Sequence, residues 1–114
     1  MITFACKKIN REDLLRCSFN LNKTEYKVFM FLLSKHGKYK VKDISSIMGL
    51  ERTGIQKALK GLLKKNLIKR SQKNLERGGY VYLYTVKDKK EIKQRMREII
   101  DRWYQLVIED IEKL

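Results

Sequence analysis

Val41, Ile44, Ile47 and Met48 recur at three- and four-residue steps, which predicts a short helix with one buried stripe. Gly49 then permits a tight turn, and Leu50 is expected to plug that turn into the core. From Glu51 to Lys65 a second helix is written: Ile55, Leu59, Leu62 and Leu63 form its apolar face. Arg52, Thr53, Gln56, Lys57, Lys60 and Lys64 lie largely on its other faces, and Asn66 can close it in the left-handed conformation. The period then changes from helix to strand. Leu67–Gln72 and the alternating Tyr80–Val86 bracket a hairpin, with a polar tip at Lys73–Gly79 that contains the turn signal Gly78-Gly79. Tyr80, Tyr82 and Tyr84 share one strand face and Val81, Leu83 and Thr85 the other; alternation alone leaves open which face meets the core.

The flanking segments add three helices. Asn10–Cys17 reads as a short one, capped by Asn10 with Glu12 and Asp13 in the first turn, where the helix dipole favours anions. Asn22 and Glu25 have the spacing of a capping box, and the helix after them carries Tyr26, Val28, Phe29, Phe31, Leu32 and Leu33 on most sides. That makes it the expected central core helix, with Gly37 as its left-handed C′ residue. Asp88–Leu114 fits one long helix with apolar residues at Ile92, Met96, Ile99, Ile100, Trp103, Leu106, Val107, Ile111 and Leu114. So wide a stripe exceeds what a small domain's own core requires, and pairing with a second copy is the economical way to bury it.

Helix, tight turn, basic helix and hairpin in that order is the layout of a winged helix-turn-helix. The expected fold class is α+β, mostly α: a winged helix-turn-helix over residues 1–87 with a short N-terminal helix, and a long C-terminal dimerisation helix over 88–114 within the same compact unit.

Charge sharpens this. The 114 residues carry 27 Lys+Arg against 13 Asp+Glu, net +14, which favours a polyanionic partner. Residues 1–50 are net +6, residues 51–79 net +7 and residues 88–114 net zero, so the excess ends with the hairpin. A DNA module followed by a self-association helix explains that distribution. No apolar run of about 18 residues predicts a membrane span, and Met1–Asn10 lacks the apolar stretch of a signal peptide; the expected location is cytoplasmic, with no membrane partner. Cys6, Cys17 and His36 cannot supply a four-ligand zinc site. The two cysteines read as small apolar side chains rather than a redox pair. No nucleophile–base pairing, phosphate-cradling loop or carboxylate pair suggests catalysis, and no cofactor is expected.

The segments Asn22–Leu33, Val41–Leu50, Glu51–Leu63, Asn66-Leu67-Ile68 and Gly78–Tyr84 resemble archaeal winged-helix transcriptional regulators of the TrmB-like and MarR-like groups, in their small single-domain form. The resemblance implies a homodimer that binds operator DNA and represses or activates promoters. It also implies that the last helix, with Trp103-Tyr104, dimerises. Two positions depart from the pattern: Glu51 stands where a Ser or Asp cap is usual, and Gly54 stands where a base-facing side chain is common. Larger TrmB-like proteins carry a C-terminal sugar-binding domain; this chain is expected to lack one, so no sugar function is inferred, and any small-molecule effector is unidentified.

The expected DNA contacts follow. On the recognition helix Arg52 can take guanine bidentately, Thr53 and Gln56 can bond bases or phosphates, and Lys57 and Lys60 meet phosphates. Arg52 and Gln56 are expected opposite Ile55 and Leu59. On the wing, Lys69, Arg70, Lys73 and Arg77 face the backbone, with Arg77 at the tip as the minor-groove candidate. The expected dimer interface is Ile92, Met96, Ile99, Trp103, Leu106 and Val107. The tyrosine trio reads as core or interface before a stacking surface for single strands. Two rival functions remain: a non-specific architectural or RNA-binding protein, and a winged helix used for protein contacts.

Overall fold

The structure is a computed structural model describing residues 1–114. Five helices and two small antiparallel sheets follow in the order β1 Ile2–Phe4, β2 Lys7–Ile9, α1 Arg11–Phe19, α2 Lys23–Ser34, α3 Val41–Met48, α4 Arg52–Lys64, β3 Ile68–Asn74, β4 Tyr80–Val86 and α5 Lys89–Glu112. They form two compact units. One is Leu21–Lys87; the other combines Met1–Asn20 with Asp88–Leu114. Helices α1 and α5 thus fall in one unit and α2, α3, α4, β3 and β4 in the other.

Leu21–Lys87 is built by local rules that its sequence states openly. Asn22 caps α2, its side-chain oxygen accepting from the Glu25 backbone N–H at 2.8 Å while Glu25 accepts from the Asn22 N–H at 2.9 Å. Asp43 serves α3 likewise, accepting from the Lys40 N–H at 3.2 Å. Gly49 ends α3 at φ 67°, a region a side chain rarely adopts, and lets the chain turn into α4 within three residues. Glu51 at the start of α4 makes no side-chain capping bond, as its length would suggest. Asn66 leaves α4 at φ 56°.

Val28, Phe29 and Leu32 of α2 bury themselves with Ile44 of α3, Ile55, Ala58, Leu59 and Leu62 of α4, and Leu67, Ile68 and Tyr84 of the hairpin. Each large apolar side chain so buried contributes about 1.5–3 kcal/mol. The hairpin pairs Ile68 with Val86 through to Asn74 with Tyr80. Tyr39 adds a short third rung, its N–H donating to Tyr84 O at 2.9 Å and its carbonyl accepting from Tyr84 N at 2.8 Å. Two expectations are corrected here. Ile47 is 61% exposed, so the buried stripe of α3 is Ile44 with half-buried flanks. Gly37 has φ 122° but lies beyond the cap of α2, which is Lys35 in an extended conformation.

The other unit holds a hairpin not anticipated from the sequence, Ile2–Phe4 paired with Lys7–Ile9, together with α1 and α5. α1 carries the expected Asn10 cap as a full capping box with Asp13. Leu15, Phe19 and Ile92 are buried, and the Arg95 guanidinium carbon lies 5.3 Å from the centroid of the Phe19 ring. Cys6 and Cys17, expected as small apolar side chains, are both exposed free thiols: one sits in the turn between the short strands and the other on an outward face of α1. No helix is long and apolar enough to cross a membrane.

Candidate nucleic-acid interface

Arg52, Thr53, Gln56, Lys57 and Lys60 are all exposed on α4, as is Lys64. The burial of Ile55, Ala58, Leu59 and Leu62 turns the remaining surface of the helix to solvent. Their order around the helix differs from expectation. Residues seven apart lie only about 20° apart in projection, so Arg52 sits beside Leu59, not opposite it. The stripe farthest from the buried side is Thr53, Lys57, Lys60 and Lys64, with Arg52 and Gln56 flanking it. Gly54 has no neighbour within 4 Å of where a Cβ would be, so its lack of a side chain leaves open surface rather than relieving a clash.

The ion pairs are Arg16–Glu12 and Lys65–Glu25, so the cations of this α4 stripe face solvent without a carboxylate partner. Lys65 is spent internally, its Nζ donating to Glu25 Oε1 at 3.0 Å. The helix thus sorts its basic residues. Lys65, on the inner side, ties α4 to α2; Lys57, Lys60 and Lys64 carry unneutralised charge outward.

The wing presents its cations on two faces. In the hairpin register Arg70 pairs with Tyr84, while Lys69 pairs with Thr85 and Lys73 with Val81. Arg70 therefore shares the tyrosine face, Lys69 and Lys73 point from the other, and Arg77 stands in the tip between the strands. Lys73 belongs to the strand, one pairing step further in than the tip expected for it. Neither face of β4 meets the core along its whole length: Val81, Leu83 and Thr85 are all half-buried, and the tyrosine face is graded. Tyr84 is buried at the hairpin's base, Tyr82 is half-buried and Tyr80 is exposed.

The sequence reading missed residues that share this surface. Lys23 and Thr24, in the first turn of α2, line one shallow depression with Gly54 and Lys57 of α4. A helix N-terminus beside a lysine suits an anionic oxygen. Lys38, Lys40 and Lys42, around the start of α3, are also exposed. The signal for them in the sequence is the positive charge of residues 23–42, whose place on the surface only the fold decides. Leu21–Lys87 as a whole holds sixteen basic and four acidic side chains, net +12 of the chain's +14.

On α5, Ile92 is only 4% exposed, so it serves the chain's own packing and is removed from the expected interface. Met96, Ile99 and Val107 are half-buried. Trp103 at 58%, with Tyr104, Leu106, Ile111 and Leu114, leaves the second half of the helix apolar and open.

This arrangement has relatives. Residues 15–90 match the family model described as the sugar-specific transcriptional regulator TrmB. An uncharacterized protein of Methanocaldococcus jannaschii is 37% identical over 101 residues, covering 89% of this chain and 82% of that protein. A solved structure described as a possible transcriptional regulator from Methanosarcina mazei superposes with a TM-score of 0.90 at 31% identity, covering 99% of this chain and 95% of that one. The ST1889 protein of Sulfolobus tokodaii, at TM-score 0.70 and 17% identity over 85% of this chain and 94% of that one, shares the fold. With its α2–α3–α4 core, its wing and its long last helix, the chain belongs to the TrmB family of winged-helix transcriptional regulators.

Proposed function

We propose that the protein is a sequence-specific double-stranded DNA-binding regulator of transcription that acts as a homodimer. The observation that carries this reading is α4: a helix buried along one side that offers solvent Arg52, Thr53, Gln56, Lys57, Lys60 and Lys64, its cations unneutralised by carboxylates. Such a helix fits the major groove, where its N-terminal residues reach base edges and later lysines meet phosphates. Arg52, Thr53 and Gln56 are the proposed readers. Lys57, Lys60, Lys69, Lys73 and Arg77 are the proposed backbone and minor-groove contacts, and Lys23 and Thr24 join them from α2. The exposed apolar half of α5 around Trp103 is the proposed dimer contact.

The test is binding to a randomised duplex library. Arg52→Ala and Gln56→Ala should each lose about 1–3 kcal/mol on the preferred site and relax base preference there. Arg77→Ala should weaken all sequences evenly. A wild type without base preference would make the protein a non-specific architectural binder. Base preferences surviving in the α4 variants but vanishing in Arg77→Ala would move readout to the wing.

A further inference from the structure

The wing's tyrosine face changes character along its length. At the base Ile68 and Tyr84 are buried. Farther out the same face carries Arg70, Gln72 and Asn74 on one strand and Tyr82 and Tyr80 on the other. Tyr80 is 53% exposed. The Tyr80 and Tyr82 rings meet edge-on with centroids 5.3 Å apart, and the Arg70 guanidinium carbon lies 4.1 Å from the Tyr82 centroid. The Tyr80 phenol pKa is held above its ordinary value, chiefly by the neighbouring Tyr82 phenol.

An isolated exposed aromatic needs no explanation. Two rings packed on each other and on a planar guanidinium form one continuous π surface, and side chains that already touch have less freedom to lose on using it. The surroundings narrow the partner. Lys69, Lys73 and Arg77 lie on the same hairpin, and Glu76 is the one acidic residue between Arg52 and Lys87. A π surface in a cationic field complements a polyanion that also offers π faces. The bases of an intact duplex hide those faces, and phosphates have none; unpaired bases expose them.

We propose that the Tyr80–Tyr82–Arg70 face of the wing stacks unpaired bases of a DNA strand, so that the protein engages opened as well as intact DNA. This rests on reading the wing as a DNA contact. Bases stack on tyrosine rings and on arginine planes with little sequence preference, so the platform holds an opened segment without reading it.

Fluorescence anisotropy with a labelled twelve-nucleotide dT strand, the matching rU strand and a duplex tests it on the full chain. Wild type should bind the dT strand. Tyr80→Ala and Tyr82→Ala should each weaken that binding about 5- to 150-fold while leaving duplex affinity unchanged, and Tyr80→Phe should bind like wild type. A wild type that binds duplex but not the dT strand overturns this inference alone. One that binds neither overturns the duplex reading as well. Tyrosine variants that leave dT binding intact, or that weaken duplex equally, show that the rings are not a single-strand platform. Tighter binding of the rU strand through the same tyrosines would replace DNA with RNA as the partner.

Discussion

Gly61 shows how a single residue sets the distance between two elements. A Cβ there would collide with the Glu25 carboxylate. That carboxylate cannot swing aside cheaply: it is buried, it accepts from the Asn22 N–H at the start of α2, and it pairs with Lys65 at 3.0 Å. Two effects compete in Gly61→Ala. Alanine gains about 1 kcal/mol of helix propensity, while forcing a filled site apart costs about 1–3 kcal/mol. The clash is with a held charge, so the cost should win, and Gly61→Ala should lower stability in urea unfolding. The sign should reverse in a Glu25→Ala background, where only the propensity gain remains. A Gly61→Ala variant that stabilises the wild-type background would show that Glu25 is free to move. The capping half of this arrangement was legible, because Asn22 and Glu25 are three residues apart. The packing half was not, since nothing in a sequence tells which helix faces Gly61.

At the scale of elements the same division recurs. The Asn10 and Asn22 caps, the Gly49 turn, the Asn66 exit and the Gly78-Gly79 turn are written within a few residues and are readable, whereas the end of α2 before Gly37 and the pairing of Lys73 with Val81 depend on contacts farther away. Ile47 was misplaced because two turns of helix cannot show which edge of an apolar stripe stays dry. β1 and β2 were missed because three-residue strands have too few positions for a period to emerge. Arg52 and Gln56 lie beside Leu59 rather than opposite it because seven residues bring a helix almost back to the same bearing and residues three apart are neighbours, which a polar and apolar pattern alone does not display. Helix α5 combines both cases: its stripe was legible along its whole length, but not the point where the chain stops covering it. Ile92 is buried, whereas Trp103, Leu106 and Ile111 are open. The two halves should therefore answer mutation differently. Trp103→Asp should give monomers, because an unpaired charge in an interface is costly, and should weaken DNA binding. Ile92→Ala should cost about 2–5 kcal/mol of stability and leave the oligomeric state alone. Light scattering at micromolar concentration, paired with thermal unfolding, separates them; a monomeric wild type would remove the dimer.

For the molecule as a whole, the division of charge is the feature that most directly meets measurement. Leu21–Lys87 carries net +12, whereas the unit containing α5 carries net +2 and balances seven basic with seven acidic residues over 88–114. Affinity built on phosphate neutralisation falls with salt in proportion to the number of phosphates covered. The chain offers Lys57, Lys60, Lys64, Lys69, Lys73 and Arg77 without a carboxylate partner, besides Lys23 on α2, and the proposed homodimer would offer each twice. If roughly four to six of these meet phosphates, a dimer covers roughly eight to twelve, and log affinity against log salt should have a slope of about −7 to −11. Arg77→Ala should shrink that slope by about one per subunit. Arg97→Ala and Arg102→Ala, on α5, should leave it unchanged, because their charge is already matched along that helix. This contrast carries more than the slope itself. A basic protein attracted to DNA by its total charge would lose slope equally at all three positions. A bound winged helix loses it, of these three, only at Arg77. Filter-binding titrations of the three variants between low and physiological salt decide between these outcomes, and a slope near zero in the wild type would remove backbone-dominated DNA binding altogether.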